Sequence, residues 1–171
     1  MTKTAPLTVA TPTDREVVIT RVVDAPRGMV FDAHTKPDLV RRWLLGPPGW
    51  TMPVCEIDPR VGGKYRYVWK HADGQAMGMG GTFTEVVRPS RIAATQLFDE
   101  DWTGGEALGT LVFTERDGKT TLTNAVLYSS REARDAVLKT PMEQGMAVGY
   151  DRLAELLASR PARGDSQAGP R

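Results

Sequence analysis

Residues Thr140–Ala158 read TPMEQGMAVGYDRLAELLA. At a helical period, Met142, Met146, Leu153 and Leu156 share one stripe, with Tyr150 and Leu157 on its edge, while Glu143, Asp151, Arg152 and Glu155 fall elsewhere. Thr140-Pro141-Met142-Glu143 has the Thr-x-x-Glu form of a capping box, with proline suited to the first helical position. A helix from there to Ala158 is ~27 Å long at the standard rise, enough to cross a whole sheet. Gly145 and Gly149 lie in the apolar stripe. A mid-helix glycine costs ~1 kcal/mol relative to alanine. Two on a buried face therefore need a reason, either close approach to a neighbouring element or space held open for a ligand.

Upstream of this helix the sequence is strand-like. The runs Thr51–Asp58, Lys64–Lys70, Ala76–Val87, Ile92–Phe98, Ala107–Arg116 and Thr120–Tyr128 read as strands. Asp73-Gly74 and Asp117-Gly118 mark hairpins, because Asp-Gly supplies the positive φ that a tight turn requires. In Lys64–Lys70 the alternation puts Tyr65, Tyr67 and Trp69 on one face and Arg66, Val68 and Lys70 on the other. Met77-Gly78-Met79-Gly80-Gly81 is glycine-rich, which weakens a strand or marks a bulge. Ser129-Ser130-Arg131-Glu132 has the capping-box form and opens a short helix to about Leu138.

The chain begins with a different order. Glu16–Ala25 is rich in β-branched residues and reads as a strand. Pro26 opens a helix carrying Met29, Val30 and Phe31. Pro37 opens a second with Leu39, Val40 and Trp43, which Gly46-Pro47-Pro48-Gly49 stops. Strand, two short helices, an antiparallel meander and a long last helix make an α+β architecture. The folded unit spans residues 15–158. Residues 1–14 read as a disordered N-terminal segment. Residues 159–171, with Pro161, Gly164, Gly169 and Pro170 and no large apolar side chain, read as a disordered tail.

Composition narrows the function classes. Of 171 residues, 22 are Lys or Arg and 21 Asp or Glu, for a net charge of +1, which argues against general nucleic-acid binding. A single cysteine, Cys55, allows no internal disulfide and fits a reducing compartment. With neither a signal-peptide run nor a membrane-length apolar stretch, the expectation is a cytoplasmic protein with no membrane insertion. There is no Walker loop, no Gly-x-Ser-x-Gly elbow and no clustered metal-ligand spacing, so neither a metal nor a cofactor is expected. His34 and His71 read as surface residues rather than catalysts, and Cys55 as a small apolar strand residue. Arg66, Glu106 and Asn124 are strand polar residues whose face the sequence leaves open.

Ala25-Pro26, Val30-Phe31, Ala33, Thr35, Pro37 and Trp43, followed by Gly46-Pro47-Pro48-Gly49-Trp50, are spaced in a familiar way. So are Gly81–Ile92, Met142–Met146 and Tyr150–Leu153. Together they resemble the SRPBCC superfamily of START lipid-transfer domains, birch-pollen-type allergens and polyketide cyclases. Within it they look like the bacterial branch related to the C-terminal domain of the activator of the heat-shock chaperone ATPase. The similarity covers residues 15–158. It implies a helix-grip fold, in which a curved antiparallel sheet of six or seven strands wraps the C-terminal helix around an apolar cavity. Phe83 stands where the family usually has tyrosine, and Leu44 where a second tryptophan is frequent.

The leading expectation is a protein that binds a small hydrophobic or aromatic molecule. A cyclase- or aromatase-type enzyme ranks second and a chaperone-interacting module third; a homodimer is left open. No catalytic residue is assigned. Trp43, Trp50, Tyr67, Trp69, Met79, Phe83, Met142, Met146, Gly149 and Tyr150 are the expected ligand-binding residues, because mostly apolar pockets hold such molecules.

Overall fold

A computed structural model of the chain describes residues 7–102 and 104–160; the expected tail beyond Arg160 lies outside them. The strands are β1 (Thr8–Ala10), β2 (Glu16–Val23), β3 (Trp50–Ile57), β4 (Lys64–His71), β5 (Ala76–Val87), β6 (Arg91–Phe98), β7 (Ala107–Arg116) and β8 (Lys119–Leu127). The helices are α1 (Arg27–Thr35), α2 (Pro37–Trp43), α3 (Arg131–Leu138) and α4 (Met142–Ala158). The strands form one antiparallel sheet in the order β1-β2-β8-β7-β6-β5-β4-β3. The strand, two helices, meander and final helix are those expected, with one strand more than the six or seven anticipated.

The added strand is a correction. Residues 8–10 fall in the segment expected to be disordered, yet they pair with β2 at Thr8↔Thr20, Val9↔Ile19 and Ala10↔Val18. Leu7 and Val9 pack against the core as partly buried side chains. A short threonine-flanked edge strand of three residues carries too little pattern to be read from sequence, and the ladder that holds it is supplied by β2.

Local chemistry explains the other boundaries. Lys36 alone separates α1 from α2 and is extended, as the residue before Pro37 must be. Asp117 (φ 54) and Gly118 (φ 77) form the two-residue turn between Arg116 and Lys119. At the other Asp-Gly only Gly74 is left-handed, and the pairing closes at Lys70↔Ala76 around a longer loop. The cap of α3 is Ser130, which accepts from Ala133 N at 3.0 Å, while the Ser129 hydroxyl donates to Gly104 O. The Thr140 capping box does not form. Its hydroxyl donates backward to Val137 O at 2.6 Å, and Pro141 occupies the cap position. The glycine-rich run stays within β5, whose register shift against β6 falls later, between Phe83 and Glu85.

Candidate functional site: the inner face of the sheet

Alternation along each strand sends one set of side chains under α4. On β2 these are Val17, Ile19, Arg21 and Val23, all buried. Register carries the face through Leu122 and Asn124 of β8, Leu111 and Phe113 of β7, and Ile92 and Ala94 of β6. It continues to Phe83 and Met79 of β5 and to Tyr65, Tyr67 and Trp69 of β4. Cys55 of β3 joins it opposite Tyr67, and burial raises its thiol pKa.

Two aromatic clusters occupy this interior. The first is a ladder on β4 and β5: Phe83 to Tyr65 at 5.5 Å, Tyr65 to Tyr67 at 5.0 Å and Tyr67 to Trp69 at 5.7 Å between ring centroids. Trp69 Nε1 donates to Leu44 O at 2.7 Å, tying the ladder to the loop after α2. Tyr65 Oη donates to Thr95 O at 2.6 Å. Burial pushes both tyrosine hydroxyls well above their ordinary range, with nearby Glu106 adding to the effect at Tyr65.

The second cluster lies where α1, α2 and α4 meet. Trp43 stacks on Tyr150 at 5.7 Å and donates from Nε1 to Ala33 O at 2.9 Å. His34 stands edge-on to Trp43 at 4.8 Å and to Phe113 at 5.3 Å, with Nδ1 2.7 Å from Val30 O. A carbonyl only accepts, so Nδ1 carries the proton and Nε2, enclosed and without a partner, is the bare acceptor. Burial lowers the pKa to about 4. The surface reading of His34 is thereby corrected, since its position late in α1 turns the ring inward between two aromatics. His71 does lie beside its turn, packed on Trp50 at 5.0 Å and 3.0 Å from Asp73.

The expected ligand-binding residues therefore divide. Tyr67, Trp69 and Phe83 belong to the ladder; Trp43, Gly149 and Tyr150 belong to the sealed helical cluster. Trp50, Met79, Met142 and Met146 are half-buried and pack against the core. Trp50 begins β3, and Met79 pairs with Phe98 near the end of β6, so both stand at one end of the sheet. The loop leading to Trp50 meets α4, where Gly145 faces Pro47 and Arg152 Nη1 donates to Gly46 O at 2.6 Å. An open cleft of about 530 Å³ lies at the start of α4, rimmed by Leu138–Gln144 and including Met142. No inner-face residue of the sheet lines that cleft.

Several inner-face residues escaped the sequence reading. Phe98 extends the half-buried apolar surface beside Met79, and the exposed Trp102 packs on it at 5.4 Å. Arg21 is only 3% exposed, although a charge there breaks the apolar alternation of β2. That break was the available signal. Of the three polar residues left open, Arg66 faces outward in a bidentate pair with Asp99 at 2.6 and 2.7 Å. Glu106 is exposed just before β7, and Asn124 faces inward. Among the described residues, no group of three or more His, Cys, Asp or Glu is placed to hold a metal ion, and no helix is long and apolar enough to cross a membrane.

A family model described as activator of Hsp90 ATPase homolog 1-like protein matches residues 24–158. A solved Rhodobacter sphaeroides protein is 33% identical, covering 90% of this chain and 99% of that one, with a TM-score of 0.85. A Mycobacterium smegmatis protein is 26% identical over 91% of this chain and 99% of that one, with a TM-score of 0.78. A Chromobacterium violaceum protein is 26% identical over 86% of this chain and all (100%) of that one, with a TM-score of 0.76. No curated protein matches the chain.

Proposed function

The chain belongs to the activator of Hsp90 ATPase homolog 1-like family, and from that premise we propose that it binds a small hydrophobic or aromatic molecule between the sheet and α4. One observation carries the reading. Trp50, Met79, Met142 and Met146 pack half-buried against the closed core, and the half-buried Phe98 pairs with Met79. Large apolar residues left partly wet beside a packed interior offer area that a ligand covers. The two methionines of α4 adapt their unbranched chains to varied shapes. Entry proceeds by displacement of the loop Leu44–Gly49, held by the Trp69–Leu44, Arg152–Gly46 and Gly145–Pro47 contacts.

The test is Nile red fluorescence combined with native mass spectrometry of protein purified from its host. The expected result is saturable, blue-shifted emission with the wild-type chain, or a co-purifying small molecule that blocks it. Met146→Glu, which places a charge in the half-buried apolar surface of α4, weakens the dye at least tenfold while the fold is retained. A wild-type chain that takes up no apolar probe and carries no small molecule refutes the reading.

A further inference from the structure

The interior also holds a polar group, and its arrangement bears on which molecule the apolar site accepts; the inference rests on the reading just given. Arg21 projects from β2 into the inner face, 3% exposed among Val17, Ile19 and Val23. Its Nη2 donates to Asp151 Oδ1 at 2.8 Å, and that carboxylate is half exposed on α4. The Arg21 Nε is enclosed and has no hydrogen-bond partner. Buried N–H groups are ordinarily paired with protein, water or ligand.

Neighbouring side chains extend the group. Ile19 pairs with Asn124 and Arg21 with Leu122, so Asn124 is the diagonal neighbour of Arg21 on the same face. The Asn124 carboxamide lies near the hydroxyl of Tyr150, the residue before Asp151, and lowers its pKa a little against the larger effect of burial. Burial pushes the Tyr150 hydroxyl up to about 12, so it keeps its proton to donate. Asn124 is itself half-buried and pairs with the half-buried Leu111 of β7. Two strands on, the side chain of half-buried Gln96 makes no hydrogen bond among the described residues and lies across Gly109, where a Cβ would collide with its carboxamide. From Arg21 through Asn124 to Gln96, a line of donors thus crosses the face between the helical cluster and the half-buried apolar end.

We propose that Arg21, with Asn124 and the Tyr150 hydroxyl, anchors a carboxylate carried by the apolar ligand. The enclosed Nε of Arg21 is the donor left without a partner at this point, while its Nη2 is engaged by Asp151. A carboxylate is acceptor-only and planar, and it matches what a guanidinium edge and a phenol offer. A single arginine balanced by one carboxylate suits a singly charged anion and not a phosphate dianion. The natural ligand class is then a small amphipathic acid, its apolar body toward Met79, Phe98 and Met146 and its acid toward Arg21.

The experiment compares 2-naphthylacetate with its uncharged amide, 2-naphthylacetamide, each displacing Nile red. The wild-type chain binds the acid at least tenfold more tightly than the amide. Arg21→Met keeps the length of the side chain and abolishes the preference, leaving amide and dye affinity unchanged. Asp151→Asn removes the competing carboxylate and raises the preference severalfold. Should Arg21→Met fail to fold, the wild-type ratio and the Asp151→Asn shift decide alone. Equal affinity for acid and amide, or an Asp151→Asn variant whose preference does not rise, overturns the anchor while dye binding leaves the apolar site standing. Absence of dye, acid and amide binding overturns both.

Discussion

Gly149 of α4 faces the backbone carbonyl of Trp43: a Cβ at that position would stand 3.3 Å from the oxygen and 3.8 Å from Trp43 Cε3. The space a side chain would take is filled by the last turn of α2. The packing alternative for this glycine is the one the geometry supports, and the neighbouring Trp43–Tyr150 stack is closed to solvent at 2% and 1% exposure. Gly149→Leu is expected to overpack this contact and cost ~1–3 kcal/mol or more. Gly149→Ala gains about 1 kcal/mol of helix propensity and must push the carbonyl aside by a little, so it stays close to wild-type stability. Urea denaturation of both variants checks this, and a leucine variant as stable as wild type would show that the interface has room.

His34 makes the fold sensitive to acid. In the unfolded chain the imidazole takes its proton near 6.5, and in the folded chain near 4. Between those values the unfolded state binds more protons, so stability falls as pH drops below about 6.5 and the loss levels off below about 4. The span corresponds to about 3 kcal/mol as an upper figure. His34→Phe keeps an aromatic ring between Trp43 and Phe113 and removes both the titration and the unpaired Nε2. Urea midpoints at pH 7 and pH 4.5 should differ less for this variant than for wild type. An unchanged pH dependence would assign the acid loss to other groups.

Much of this fold was legible because its signals are local. The alternation in Lys64–Lys70, the prolines at 26 and 37, and the stripe in Thr140–Ala158 each declare an element without help from elsewhere. What escaped depends on partners distant in sequence. Residues 8–10 become a strand only because β2 offers an edge. His34 turns its ring inward because Phe113, far along the chain, packs edge-on against it. The site was half legible for the same reason. Alternation placed Tyr67 and Trp69 on one face, but it gave no means of knowing that Trp43 and Tyr150 stack on each other. Arg21 was the missed opportunity, since a charge at an apolar position of a strand needs a charged partner, and the half-exposed Asp151 of α4 is that partner.

The edge strand supports a prediction that a disordered N-terminal segment, as the sequence reads, would not make. Deleting residues 1–10 removes the partly buried Leu7 and Val9 and the ladder to β2. A fully buried aliphatic side chain contributes ~1.5–3 kcal/mol, so two half-buried ones give about 2 kcal/mol. The urea midpoint of the truncated chain should fall accordingly. A midpoint within error of the full chain would show that β1 docks without stabilising the sheet.

The last prediction concerns the join between the aromatic ladder and β6. Pairing of β5 with β6 is present at Gly80↔Leu97 and at Phe83↔Ala94 but not between them. In the gap the Thr95 carbonyl enters the place where a side chain on Gly81 would be, so any Cβ there meets backbone. Tyr65 Oη satisfies that carbonyl at 2.6 Å, and Thr95 Oγ1 accepts from Thr82 N at 2.9 Å. Tyr65 is thus both a rung of the ladder and the hydrogen-bond partner of a skipped backbone group. Tyr65→Phe keeps the ring and removes the donor, leaving a part-buried acceptor unmet at a cost of about 1–3 kcal/mol. Gly81→Ala forces backbone apart and should cost about 3 kcal/mol, the upper end for an overpacked site. Thr95→Val removes only the acceptor of Thr82 N and should cost about 1 kcal/mol. The ordering Gly81→Ala, then Tyr65→Phe, then Thr95→Val is read from urea midpoints. A Gly81→Ala chain at wild-type stability would mean that β5 and β6 separate readily at this point.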